Sequence, residues 1–167
     1  MSAGMFRIGH GFDVHRFSEL FDSNKPLILG GVKIREPKSL LAHSDGDVVL
    51  HALCDAILGA IGEGDIGQHF PDTNEEFANV DSSLLLKQVL ESASRKGWLP
   101  VNVDVTVIAQ VPKLAPYRNA MRDRLANQLG LKASDVNVKA TTTEGLGSIG
   151  RGEGIACHCV ALLNAAS

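Results

Sequence analysis

No stretch of this chain is apolar over the roughly 18 residues that a membrane-spanning helix needs. No basic segment followed by an apolar one opens it, so no secretory signal is expected. Cysteine is scarce, with Cys54, Cys157 and Cys159 the only three in 167 residues. An odd count with no leader argues against a disulfide framework and points to a reducing compartment, the cytoplasm. The net charge of −3 argues against a nucleic-acid binder that works by neutralising phosphates. There is no internal repeat and no low-complexity segment. What is there is an ordinary globular composition, 44% hydrophobic and 21% charged. The length suits one domain with a real core, read here as residues 5–165. Met1-Ser2-Ala3-Gly4 precede a second methionine and read as an N-terminal extension, an expression remnant outside the fold.

The chemistry concentrates first in Gly9-His10-Gly11-Phe12-Asp13-Val14-His15. In an extended strand, residues two apart share a face, so Asp13 and His15 stand side by side. A carboxylate and an imidazole make two thirds of a catalytic zinc site, and the best third ligand is His51. Such a set leaves a fourth position open, as catalytic zinc requires. The competing reading makes His51 a satisfied core histidine among Leu50, Leu53 and Cys54. Asp55, four residues on and on the same helical face, weighs against it as a carboxylate partner for a ligating histidine. Cys157-His158-Cys159 reads as part of a buried strand rather than a metal pair.

Hydrophobic period and punctuation order the rest. Strands are expected over 5–15, 101–108, 136–141 and 155–163, with a hairpin or bent strand over 27–34 around Gly30-Gly31. Helices are expected over 48–61, capped by Ser44 or Asp45, over 84–96 after Asp81-Ser82-Ser83, and over 117–129 before Gly130. This is an α+β pattern: a mixed or antiparallel sheet with helices on one face. Its other face, rich in Val, Ile and Ala, needs cover from another subunit.

Two segments fit phosphate. Thr141-Thr142-Thr143-Glu144 runs into a glycine-rich loop holding Ser148 and Arg151; hydroxyls, backbone N–H groups and a guanidinium all donate to phosphate oxygens. Glu144 has the wrong sign for phosphate and the right one for a hard divalent cation such as Mg²⁺ bound to phosphate. His43-Ser44 at a helix entry offers a second anion site. Lys113 and the backbone after Gln110 could hold a nucleobase or another phosphate. The long connection over 62–73 is of a length that compact domains keep for function. Together these point to chemistry on a diphosphate.

The blocks 9–15, 41–47, 51–53, 64–67, 70–73, 102–105, 137–144 and 150–156 closely resemble the 2-C-methyl-D-erythritol 2,4-cyclodiphosphate synthases, and the likeness runs from about Met5 to Leu163. The resemblance implies a catalytic domain with ferredoxin-like layering, in a homotrimer whose sheets face the three-fold axis and whose active sites lie between subunits. The implied activity makes the cyclic diphosphate and CMP from 4-diphosphocytidyl-2-C-methyl-D-erythritol 2-phosphate, in the non-mevalonate isoprenoid pathway. Asp13, His15 and His51 match the zinc ligands, and Glu144 the contact to a second ion, Mg²⁺ or Mn²⁺. His43 and Thr142 match residues that stabilise the transition state. Asp65, Ile66, Gly67, Phe70, Pro71, Asp72, Thr73 and Asn74 match the methylerythritol loop. Ala109, Gln110, Val111, Pro112, Lys113, Leu114 and Ala115 match the cytidine pocket. Val14, Ser44, Thr141, Thr143, Ser148 and Arg151 complete the expected substrate contacts. The extension at 1–4, the loop at 17–26 and Ser148-Ile149 depart from the pattern. Phe12, Arg151 and Glu153 are expected to ring an axial cavity able to hold an isoprenoid diphosphate. A zinc-dependent phosphohydrolase and an inactive isoprenoid-diphosphate-binding regulator are the rival readings.

Overall fold

The computed structural model describes residues 5–71, 73–75 and 79–166. Its main sheet has four strands, β1 (Phe6–Arg16), β4 (Trp98–Ile108), β5 (Val136–Thr141) and β6 (Gly154–Ala165), in the order β1-β6-β4-β5. β6 pairs antiparallel with both β1 and β4, and β4 pairs parallel with β5. The parallel pair needs a crossover, which α4 (Arg118–Leu129) supplies. β2 (Ile28–Leu29) and β3 (Val32–Lys33) form a separate hairpin. Gly30 and Gly31 turn it with φ of 58° and 71°, a left-handed pair suited to glycine.

Alternation along the strands separates the two faces. Val103, Val105 and Val107 of β4 and Ile155, Cys157, Cys159, Ala161 and Leu163 of β6 are buried under the helices. Phe6, Ile8, Phe12 and Val14 of β1 and Val160 of β6 stand on the opposite face, exposed. The expected α+β mixed sheet with helices on one face is therefore what forms. The buried-strand reading of Cys157 and Cys159 also holds.

α1 (Val48–Ile61) is the core element, and every residue except Asp55 and Gly59 is buried. It packs against β1, β6 and α3 (Ser82–Arg95). Apolar nearly all round, it suits a position between layers; each of its fully buried Leu and Ile side chains contributes roughly 2 kcal/mol. Its N-cap is Asp47, not Ser44 or Asp45: the Asp47 carboxylate accepts from the Val49 and Leu50 N–H groups, and from Gly30 and Gly31 of the hairpin turn. Four donors let this wholly buried carboxyl join the hairpin to the helix, while burial pushes it up to about 6. Asp47 caps because it directly precedes Val48, the first helical residue, whereas Ser44 and Asp45 stand three and two positions further back.

β4 starts at Trp98, before the expected Val101, with a register shift between Pro100 and Asn102. Residues 115–117 make a 3-10 turn ahead of α4, and two short helices, α2 (Ile66–His69) and α5 (Gly147–Gly150), interrupt the long connection and the glycine-rich loop.

Candidate metal centre and substrate pockets

Asp13 and His15 lie on the helix-facing side of β1, as the strand period requires. Gly9 and Gly11 share that side, and α1 rests directly on them: a Cβ on Gly11 would overlap the carbonyl oxygen of Ala52, and one on Gly9 that of Ala56. This close approach seats His51, in the first turn of α1, against the two strand residues.

The three donor atoms converge. Asp13 Oδ2 lies 2.9 Å from His15 Nε2 and 3.0 Å from His51 Nδ1, and the two ring nitrogens are 3.1 Å apart. Ligands held tetrahedrally at about 2.0–2.1 Å from one ion lie roughly 3.3 Å apart, so this triangle fits a metal with little movement. Among the described residues no other three such donors gather. The outer nitrogens are engaged. His15 Nδ1 donates to the Leu41 carbonyl at 3.2 Å, which leaves Nε2 for a ligand role. His51 Nε2 lies 2.9 Å from Ser82 Oγ and 3.1 Å from Ser44 Oγ. Burial alone would raise the Asp13 carboxyl, but bonds and charge from His15 and His51 hold it well below the usual carboxylate range. Burial alone would lower His51; Asp13, backed by Asp47 and Asp45, raises it instead.

Asp55 is not the partner of His51. It accepts the Ile66 N–H at 2.7 Å and so anchors the loop beyond α1. The residues that hold the outer side of His51, Ser82 and through it Asp45, were not singled out for that role from sequence. Ser82 is 31 positions away and carries no local signal beyond following an N-cap.

A cavity of about 330 Å³ opens at the triad. His43, Ser44, Ile66, Gly67 and Phe70 line it, which puts the helix entry and part of the 65–74 loop beside the triad. His43 Nε2 donates to the Asn74 carbonyl at 3.1 Å. Asp65 instead caps α2, accepting the Gln68 N–H at 3.0 Å, and Pro71 and Thr73 stand outside the lining. Asp72 lies outside the described residues.

A second cavity, of about 290 Å³, is lined by the 109–115 loop together with Thr141 and Thr142. Only Val111 of that loop stays outside it, while Arg118, one turn further on, joins it unannounced by the sequence reading. Beside it Thr142 Oγ1 donates to Glu144 Oε1 at 3.0 Å, and Thr143 Oγ1 to the Leu146 carbonyl at 2.6 Å. Val14 and Ser148 flank a smaller crevice that also touches His15. Arg151 Nε donates to Glu153 Oε1 at 2.6 Å, and Phe12 packs on the His158 ring with centroids 4.7 Å apart. Within one chain the metal triad and the 109–115 pocket share no lining residue: the triad stands at the edge strand β1, and the pocket lies at the ends of β4 and β5, two to three strand spacings or roughly 10–14 Å across the sheet.

Burial pushes Cys159 up to about 12 and Cys54 and Cys157 well above the ordinary thiol range, which leaves no thiolate nucleophile.

Known proteins resemble this chain over nearly its whole length. The 2-C-methyl-D-erythritol 2,4-cyclodiphosphate synthase of Pseudoalteromonas translucida is 55% identical over 160 residues, 96% of this chain and 94% of that protein. The synthase of the same name from Nitrosococcus oceani is 59% identical over 157 residues, 94% of this chain and 97% of that protein. Among solved structures, the bifunctional IspDF of Campylobacter jejuni superposes with a TM-score of 0.91 at 47% identity; the match covers 98% of this chain but 43% of that longer protein. The Plasmodium falciparum IspF–CDP complex superposes at 0.84 with 37% identity, over 99% of this chain and 100% of that one. Residues 6–164 match the YgbB family, and the chain belongs to it.

Proposed function

We propose that this chain converts 4-diphosphocytidyl-2-C-methyl-D-erythritol 2-phosphate into 2-C-methyl-D-erythritol 2,4-cyclodiphosphate and CMP, in the non-mevalonate isoprenoid pathway. The observation that carries the reading is the Asp13/His15/His51 triangle at the mouth of a cavity lined by His43, Ser44 and Phe70. In the reaction an oxygen of the substrate's 2-phosphate attacks the β-phosphorus. The bond from that phosphorus to the oxygen bridging the α-phosphate breaks, and CMP leaves with that oxygen. The nucleophile belongs to the substrate, so the buried cysteines need no role. Zn²⁺ held by Asp13, His15 and His51, with Mg²⁺ or Mn²⁺ held by Glu144 and the phosphates, would supply Lewis-acid polarisation and offset charge.

The chain's own part is positioning and charge stabilisation. His43 and Thr142 donate to oxygens that gain charge. Ser44 and the backbone at 65–67 hold the methylerythritol phosphate end, with Phe70, Pro71, Thr73 and Asn74 beside it, and together they keep out water that would compete with the 2-phosphate for the β-phosphorus. Backbone groups over 109–115 read the cytosine, with Lys113, Thr141 and Thr143 nearby.

The separation of the two cavities supports a site composed from two subunits, one giving the metal triad and its neighbour the cytidine pocket. The exposed apolar sheet face supports a homotrimer closed around it. In that assembly Phe12, Arg151 and Glu153 line an axial cavity for an isoprenoid diphosphate. The test of the activity is incubation with the cytidylyl substrate, Zn²⁺ and Mg²⁺ under phosphorus NMR. The cyclic diphosphate is the expected product. Methylerythritol 2,4-bisphosphate released with CMP would identify a phosphohydrolase, and unchanged substrate a regulator that has lost activity.

A further inference from the structure

His51 has one nitrogen on each side of a decision. Nδ1 faces Asp13 and His15, while Nε2 faces two hydroxyls, Ser82 at 2.9 Å and Ser44 at 3.1 Å. A neutral imidazole carries a single proton, and a metal takes the bare nitrogen. A metal ligand at Nδ1 therefore requires the proton at Nε2, and that N–H needs one acceptor.

The surroundings of the two hydroxyls differ. Ser82 Oγ lies 2.5 Å from Asp45 Oδ1, and a carboxylate can only accept, so the Ser82 proton belongs to Asp45. The remaining lone pairs of Ser82 then point at His51. Ser82 is fully buried, so no water competes for them. Asp45 is itself fixed: its carboxylate accepts the N–H of Ser82 and of Asp47, each at 3.1 Å, and its own N–H donates to the Val80 carbonyl. Ser44 Oγ accepts the Gly46 N–H at 3.3 Å, and among the described residues its proton has no committed acceptor. Ser44 lines the cavity at the triad.

We propose that Asp45 and Ser82 are positioning residues for His51, acting as a relay from His51 Nε2–H to Ser82 Oγ and from Ser82 O–H to Asp45. The relay keeps His51 in the tautomer that presents Nδ1 to the metal. It also releases Ser44 from that duty and leaves the Ser44 hydroxyl proton for a phosphate oxygen in the cavity. This rests on the metal-centre reading of Asp13, His15 and His51.

Two variants of the full chain test it, with zinc affinity by chelator competition and the absorption spectrum of the Co²⁺-loaded protein as readouts. Ser82→Ala removes the acceptor. Asp45→Asn keeps the shape, but its amide can donate to Ser82 and turn the relay round, which favours the wrong His51 tautomer. Each is expected to weaken zinc about 10–100-fold and to change the Co²⁺ spectrum. Ser82→Thr, which keeps the hydroxyl, is expected to restore both. Ser44→Ala is expected to leave zinc affinity nearly unchanged while raising KM for the substrate. Wild-type affinity in both Ser82→Ala and Asp45→Asn would overturn the relay, even if the variants were less stable. So would transfer of the loss to Ser44→Ala. A wild-type chain that binds no zinc would remove the metal-centre reading and the relay with it, a result distinct from wild-type binding with indifferent variants.

Discussion

At the scale of the residue, charge placement decides how this site behaves without metal. Asp13 is held below the usual carboxylate range by His15 and His51, and His51 is held above its usual value by Asp13. The signs oppose each other. A depressed carboxyl adds stability that is present above its unfolded value, 3.8, and is lost as pH falls towards the folded one. A raised histidine adds stability that is present below 6.5 and is lost as pH rises through its folded value. The contribution of this pair to the stability of the metal-stripped protein is expected to be greatest between about pH 4 and 6.5, falling away on both sides. Asp13→Asn is expected to flatten both slopes; thermal melts against pH decide it, and an unchanged profile would remove the pair from the stability balance. Thr142 acts on a different quantity. Its hydroxyl holds Glu144 and Thr142 lines the 109–115 cavity, so Thr142→Ala is expected to lower kcat about 100-fold while KM moves far less. A rise in KM alone would make it a ground-state binder.

At the scale of the element, the close contact of α1 on β1 builds the metal centre. Gly11 permits it, because any Cβ there meets the Ala52 carbonyl of the helix. Gly11→Ala is expected to push α1 outward, to cost about 3 kcal/mol, and to lose zinc because His51 moves away from Asp13 and His15. His51→Ala is expected to lose zinc as fully but to leave most of the fold, since the helix keeps its apolar packing. Metal analysis beside thermal unfolding separates the two; a stable, zinc-loaded Gly11→Ala protein would show that the helix can lift without harm. The Asp47 cap belongs to the same scale: one carboxylate ties the hairpin turn to the helix start and so fixes where the first turn, with His51, begins.

At the scale of the whole molecule, the sheet leaves one face uncovered, with Phe6, Ile8, Phe12 and Val14 exposed on it. Apolar surface of this kind marks an interface. Three-fold closure over that face would gather three copies of Arg151, and the charge of each is already opposed by Glu153 in the same chain. An anion entering the axis must therefore compete with Glu153 for the guanidinium. Calorimetry with geranyl or farnesyl diphosphate is expected to give clear binding to the wild type and at least tenfold weaker binding to Arg151→Ala. Equal affinities would take Arg151 out of any such site.

Periodicity and short-range chemistry made much of this legible from residues alone. The alternation of β1 put Asp13 beside His15, and the helical period set α1 at Val48–Ile61. The resemblance of whole blocks to a known family added the ligand set and the substrate. Tertiary structure decided what local pattern cannot: that Asp47, the residue before α1, also holds the hairpin turn, that Asp55 holds a loop rather than His51, and that Ser82 and Asp45 stand behind His51. It also set the triad apart from the 109–115 cavity, two to three strands away across the sheet. The reason is physical: hydrogen-bond partners are chosen by distance in space, and sequence patterns report which face a side chain takes, not which distant chain segment comes to meet it.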